Sequence, residues 1–140
     1  MMINTKDQML HKEITDKILR AYYTVYNELG FGFSEKCYEN ALLYEMRNSG
    51  LICEQQKPIK VYYKESLVGE YFADIVVEDK VIIELKAAAT LLPEHEVQLI
   101  NYLKSTDIEI GMLLNFGRDP KFRRLIFSNT ENENSNSKVA

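Results

Sequence analysis

The chain has 140 residues, of which 46% are hydrophobic and 27% charged, with few glycines and prolines. That suits one soluble domain with one core, large enough to fold without a disulfide or a structural metal. A net charge of −4 argues against tight nonspecific binding to nucleic acid as the main task. Carboxylates that hold a divalent cation would lower the effective charge, and Lys121, Arg123 and Arg124 form a local basic cluster.

The N-terminal stretch reads without a leader peptide, because Lys6, Asp7, His11, Lys12 and Glu13 interrupt it. No segment approaches the roughly 20 apolar residues that a membrane helix needs. The two cysteines, Cys37 and Cys53, lack CxxC spacing and read as buried free thiols, which points to a reducing, cytoplasmic setting.

Helical spacing of Leu10, Ile14, Ile18, Ala21, Tyr22, Val25 and Leu29 predicts a first helix over residues 10–29, stopped at Gly30. A second helix is predicted from Ser34 to Asn48, with Gly50 beyond its end. The period then changes. Ile59, Val61 and Tyr63 alternate after Pro58, and Lys64-Glu65-Ser66 reads as a turn. Two strands, Leu67–Val77 and Val81–Ala87, flank the short polar turn Glu78-Asp79-Lys80 as a hairpin. Pro93 opens a third helix that reaches Ser105. Ile110–Phe116 reads as a buried strand, and Leu125–Phe127 as a short edge strand. From Ser128 the composition is polar and predicts a disordered tail over 128–140. The order α-α-β-β-β-α-β describes a single α/β domain over 1–127.

In the strand Tyr71–Val77, Phe72, Asp74 and Val76 share one face, and Ala73, Ile75 and Val77 the other. Both faces are apolar except at Asp74. In the next strand Glu84 and Lys86 share a face with Ile82. A buried carboxylate is costly unless paired or bound to metal, so a hairpin that brings Asp74 towards Glu84 and Lys86 suits a hard divalent cation. The lysine can then orient water or stabilise charge on a phosphate. A surface Glu–Lys pair, with Asp74 near a strand end, would give the same spacing.

Glu35 falls in the first turn of the second helix, where a glutamate also answers the helix dipole. His95, Gln98, Leu99 and Tyr102 form a stripe on the third helix, flanked by Asn101. A histidine near a helix start also serves as a cap, and Gln and Tyr on a helix often face water. His95-Glu96 does not continue into HExxH, because position 99 is Leu. Gly30-Phe31-Gly32 lacks the Gly-Lys-Ser/Thr of a phosphate loop.

Asp74 followed by Glu84-Leu85-Lys86 resembles the D-(x)n-E-x-K signature of the PD-(D/E)XK nuclease superfamily. Gly32-Phe33-Ser34-Glu35-Lys36-Cys37-Tyr38 is similar to the motif of its GxxExxY family, Gln98 to Tyr102 to its QxxxY element, and Gly111–Gly117 to its closing strand. The similarity spans residues 8–127, with Ala73 where the signature has Pro.

The resemblance implies a restriction-endonuclease-like fold, a central mixed sheet flanked by helices, and a metal-dependent nuclease acting on DNA in preference to RNA. It implies that Asp74, Glu84 and the Leu85 carbonyl ligate Mg²⁺ or Mn²⁺. Lys86 would position the attacking water, and Glu35 would orient water or hold a second ion. Gln98 and Tyr102 would brace the site or touch substrate, with His95 on the same stripe. A homodimer or a partner protein would supply specificity. The competing reading is a non-catalytic nucleic-acid- or protein-binding module that keeps the fold; a third is a self-associating protein with tyrosine contacts.

Overall fold

The computed structural model describes residues 10–128. All but the first residue of the predicted disordered tail lies outside the described residues. Helix α1 (Lys12–Leu29) buries Ile18, Ala21, Tyr22 and Val25 on one stripe and stops at Gly30. Ser34 caps α2 (Glu35–Asn48), its hydroxyl accepting from the Cys37 N–H at 3.2 Å.

The chain then forms β1 (Cys53–Tyr63), β2 (Ser66–Val77), β3 (Val81–Lys86), α3 (Pro93–Lys104), β4 (Ile110–Asn115) and β5 (Phe122–Ile126). The five strands make one sheet in the order β1-β2-β3-β4-β5. Pairing is antiparallel except between β3 and β4, where α3 makes the crossover that parallel neighbours require. The predicted α/β fold with a mixed sheet is therefore the observed one. The closing edge strand is longer than expected, β5 beginning at Phe122.

Both hairpin turns use two consecutive left-handed residues, Lys64 and Glu65 in one, Glu78 and Asp79 in the other. That geometry follows the strand twist. Pro58 lies inside β1 rather than at its start, which is tolerated because β1 is an edge strand.

The helices sandwich the sheet. On one face α1 and α2 pack against Ile75, Val77, Val81, Ile83, Leu85, Met112 and Leu114. On the other, Leu99, Tyr102 and Leu103 of α3 pack on Ile59, Ala73, Val76, Ile82 and Leu113. Simple alternation along β2 predicts Ala73 beside Ile75, yet Ala73 packs with Val76. The faces switch across Asp74, which has a backbone pairing partner on neither β1 nor β3. Gln56 is left-handed (φ 52), and the pairing runs from Gln55–Ile75 to Lys57–Ala73 without a Gln56–Asp74 pair. The ribbon is kinked at that point.

The end of β4 is pinned by aromatic and amide contacts. Phe116 stacks on Tyr38 at 4.6 Å and meets Tyr22 edge-on at 4.9 Å. The buried Asn115 side chain accepts from the Ala88 N–H and donates to the Ala88 carbonyl, both at 3.0 Å. It thereby ties the segment after β3 to β4. Cys53 is buried and Cys37 half-buried, both as free thiols. Among the described residues no helix is long and apolar enough to cross a membrane.

A Cβ on Gly117 would lie 1.8 Å from the Ala88 carbonyl oxygen and 2.8 Å from its carbon, backbone atoms that cannot swing aside as a side chain could. Gly117→Ala is expected to destabilise the domain by about 2 kcal/mol or more, read as a lower urea midpoint at unchanged m-value.

Candidate active site

β2 and β3 pair only at Ile75–Ile83, Val76–Ile82 and Val77–Val81. The next position would join Asp74 to Glu84, and there the strands separate. Side chains replace the backbone ladder. The Asp74 N–H donates to Glu84 Oε2 at 2.8 Å, and the Leu85 N–H donates to Asp74 Oδ2 at 2.8 Å. Each carboxylate thus accepts from the strand that carries the other.

Glu84 is only 5% exposed. Burial, and then the Asp74 charge, push its carboxyl up to about 8, while Lys86 opposes the shift. Asp74 is also raised, chiefly by burial and next by the Glu39 charge, although the Leu85 N–H favours its ionised form. Lys86, half-buried at the end of β3, is held through its carbonyl, which accepts from the Phe116 N–H at 2.7 Å.

The helix carboxylate whose charge acts on Asp74 is Glu39, one turn beyond Glu35. Glu39 is 4% exposed and accepts from Lys36 and Gln56, each at 3.0 Å, and from Gln55. The Gln56 amide also reaches Asp74 Oδ1 at 3.4 Å, so the residue that kinks the ribbon bridges the two acids. Glu35 itself is exposed in the first turn of α2.

Other residues of the Gly32–Tyr38 segment have structural work. Gly32 takes φ 114, Ser34 caps the helix, and the buried Tyr38 hydroxyl donates to the Gly30 carbonyl at 2.5 Å while accepting from the Phe33 N–H. Sequence reasoning missed Glu39. The available signal was its place on the stripe of Leu42, Leu43 and Met46, where a charged residue is unexpected.

On α3, Tyr102 is buried, and its hydroxyl is pushed up to about 12 by burial first and then by the Glu84 and Asp74 charges. It borders the acid pair. Gln98 is exposed, one turn before Tyr102. His95 is occupied as a cap, its Nδ1 accepting from the Leu92 N–H at 3.0 Å. Asp74, Glu84, Lys86 and Tyr102 are thus brought to one end of the sheet, with Glu39 as a buried carboxylate of α2 near Asp74 and Glu35 exposed one turn earlier. Among the described residues, no three His, Cys, Asp or Glu side chains form a ready metal cluster.

The sequence profile of the PD-(D/E)XK nuclease superfamily matches residues 12–125. The chain belongs to that superfamily. Its nucleases usually use divalent metals such as Mg²⁺. No curated protein matches the chain. Among solved structures, the crystal structure of SSO0001 is similar at 17% identity and a TM-score of 0.49, over 90% of this chain and 73% of that one.

The donor set of this PD-(D/E)XK site fits a hard cation. Two carboxylates meet where ionising both is unfavourable, and a dication would remove that penalty. Without metal, a raised carboxyl favours the folded state at low pH and loses that contribution as pH rises from 4.5 to about 8. In chelator, Glu84→Gln is expected to flatten this decline, gaining on the order of a few kcal/mol over wild type at the alkaline end. Chemical denaturation across that range checks it; parallel slopes would move the titration to another group.

Proposed function

We propose that the protein is a metal-dependent phosphodiesterase that hydrolyses nucleic acid, DNA in preference to RNA, and that it belongs to the GxxExxY branch of its superfamily. The observation that carries this reading is the reciprocal Asp74–Glu84 arrangement, which holds a buried and a half-buried carboxyl together at a strand end beside Lys86. Neutral hydrogen-bonding side chains would accept from the same N–H groups without the penalty of burying charge. Superfamily membership supports the reading, and the Gly32–Tyr38 segment supports the branch.

Asp74, Glu84 and the Leu85 carbonyl would hold Mg²⁺ or Mn²⁺, with Glu39 or Glu35 as the additional helix carboxylate. The cation supplies Lewis-acid stabilisation of the phosphate oxygens. Lys86 holds the attacking water by hydrogen bonding and offsets charge that grows on the phosphate. Tyr102 borders the acids and limits water access from the α3 side; Gln98, one turn earlier, touches substrate. His95 caps α3 and contributes through helix placement. The unpaired cysteines fit a reducing cytoplasm, and a partner protein or second copy would supply specificity.

The test is cleavage of single- and double-stranded DNA and RNA in Mg²⁺, Mn²⁺ or EDTA. Wild type is expected to cleave only with metal. Glu84→Ala is expected to lose both cleavage and Mn²⁺ binding by calorimetry. Lys86→Ala is expected to keep metal affinity and lose about 10²–10⁴-fold in turnover. Metal binding unchanged in Glu84→Ala would remove the ligand assignment.

The helix carboxylates make a separate comparison. Glu39→Gln is expected to weaken Mn²⁺ binding or turnover by about tenfold, and Glu35→Gln by much less, because buried charge is poorly screened. The reverse order would return the role to Glu35.

A further inference from the structure

A cavity of about 460 Å³ opens between the β1–β2 ribbon and α3, and Tyr102 is part of its lining. Tyr102 packs in the cluster that contains Ala73, the residue before Asp74, so the cavity and the acid pair are neighbours across one side chain. Its size lies within the range of about 300–1,000 Å³ typical of small-molecule sites. Of its outer wall, the nuclease chemistry proposed above uses Gln98 and leaves Val61, Tyr71, Val97 and Asn101 without a role.

That wall has a distinct chemistry. Tyr71 stands on β2 three residues before Asp74, half-exposed, with its ring centroid 5.9 Å from that of Tyr102. Gly69 leaves room for the ring, since a Cβ there would lie 3.2 Å from Tyr71 Cε2. The ring is therefore positioned and still accessible. Val61 and Val97 add apolar surface, and the Gln98 and Asn101 amides offer paired donors and acceptors. Glu94 and Lys104 carry opposite charges at the same cavity, so it presents no net positive charge to a phosphate.

An aromatic platform with apolar edges, amide groups and balanced charge suits a flat, neutral, hydrogen-bonding ring. We propose that this cavity is a subsite for one unpaired nucleobase of a single-stranded nucleic acid whose adjoining phosphodiester lies at the Asp74–Glu84 pair. This rests on the nuclease reading and narrows its substrate class. A base stacked and paired within a duplex cannot enter the cavity without leaving its neighbours, which costs a few kcal/mol. Single strands, frayed ends and flaps are therefore the preferred substrates.

The experiment measures binding of fluorescent oligo-dT and oligo-U strands and of a blunt duplex by anisotropy in EDTA, with metal-dependent cleavage assayed separately. Wild type is expected to bind single strands at least about tenfold more tightly than duplex. Tyr71→Ala is expected to lose about tenfold in single-strand affinity, and Tyr71→Phe to retain it. Val97→Trp, an exposed helix substitution that fills the cavity and spares β2, is expected to reproduce the loss.

Circular dichroism establishes that each variant is folded, and dT against U affinity separates DNA from RNA as the source of the base. Unchanged single-strand affinity in both Tyr71→Ala and Val97→Trp would overturn the subsite, as would duplex binding equal to single-strand binding. Cleavage lost in Glu84→Ala tests the nuclease reading independently. Cleavage without the Tyr71 effect refutes the subsite alone, and the Tyr71 effect without cleavage refutes the nuclease reading alone.

Discussion

Where β2 leaves β3, the sheet has a problem that any sheet would have: backbone N–H groups at the last shared position lose their partners. Buried N–H groups without acceptors are costly, and more than nine in ten buried backbone groups find one. Here the acceptors are the Asp74 and Glu84 carboxylates, each bonded to the opposite strand. The acid pair therefore also closes the sheet. Its two roles conflict over charge, because hydrogen bonds favour ionised oxygens while burial and mutual repulsion oppose them, most strongly at Glu84. A protein that only needed to close the gap would satisfy it with neutral groups.

The rest of the fold limits how far that junction can move. Phe116 holds the end of β3 through the Lys86 carbonyl and is itself fixed between Tyr22 and Tyr38. Asn115 secures Ala88, two residues beyond Lys86, and Gly117 permits the close backbone approach that this requires. Two helices on one face of the sheet, α1 and α2, therefore converge on one strand end. Reactive groups held on strands and braced in this way keep their geometry better than groups on loops.

Much of the architecture was legible in the sequence because it depends on period. The helical stripes of α1 and α2, the strand limits at Val77 and Val81, and Pro93 at the start of α3 follow from residue spacing and turn chemistry. The face of Ala73 was not legible. Alternation assumes an unbroken ladder, and at Asp74 β2 loses its pairing partners on both neighbouring strands, which β2's own pattern does not show. The acid–lysine set was readable as charge on otherwise apolar strands. Glu39 was harder, because a motif pointed to Glu35 one turn earlier, and burial rather than residue type distinguishes the two.

The same distinction changes what the net charge means. Of the acids behind a value of −4, Asp74, Glu84 and Glu39 form one internal cluster rather than a surface field. With Glu84 protonated, the negative charge of these acids projects outward less than the bare sum suggests. Charge summed over a sequence treats all carboxylates as exposed. For a chain that sequesters acids at a strand junction, that sum overstates the barrier to a polyanionic partner, so an acidic composition and a nucleic-acid substrate are compatible here on physical grounds.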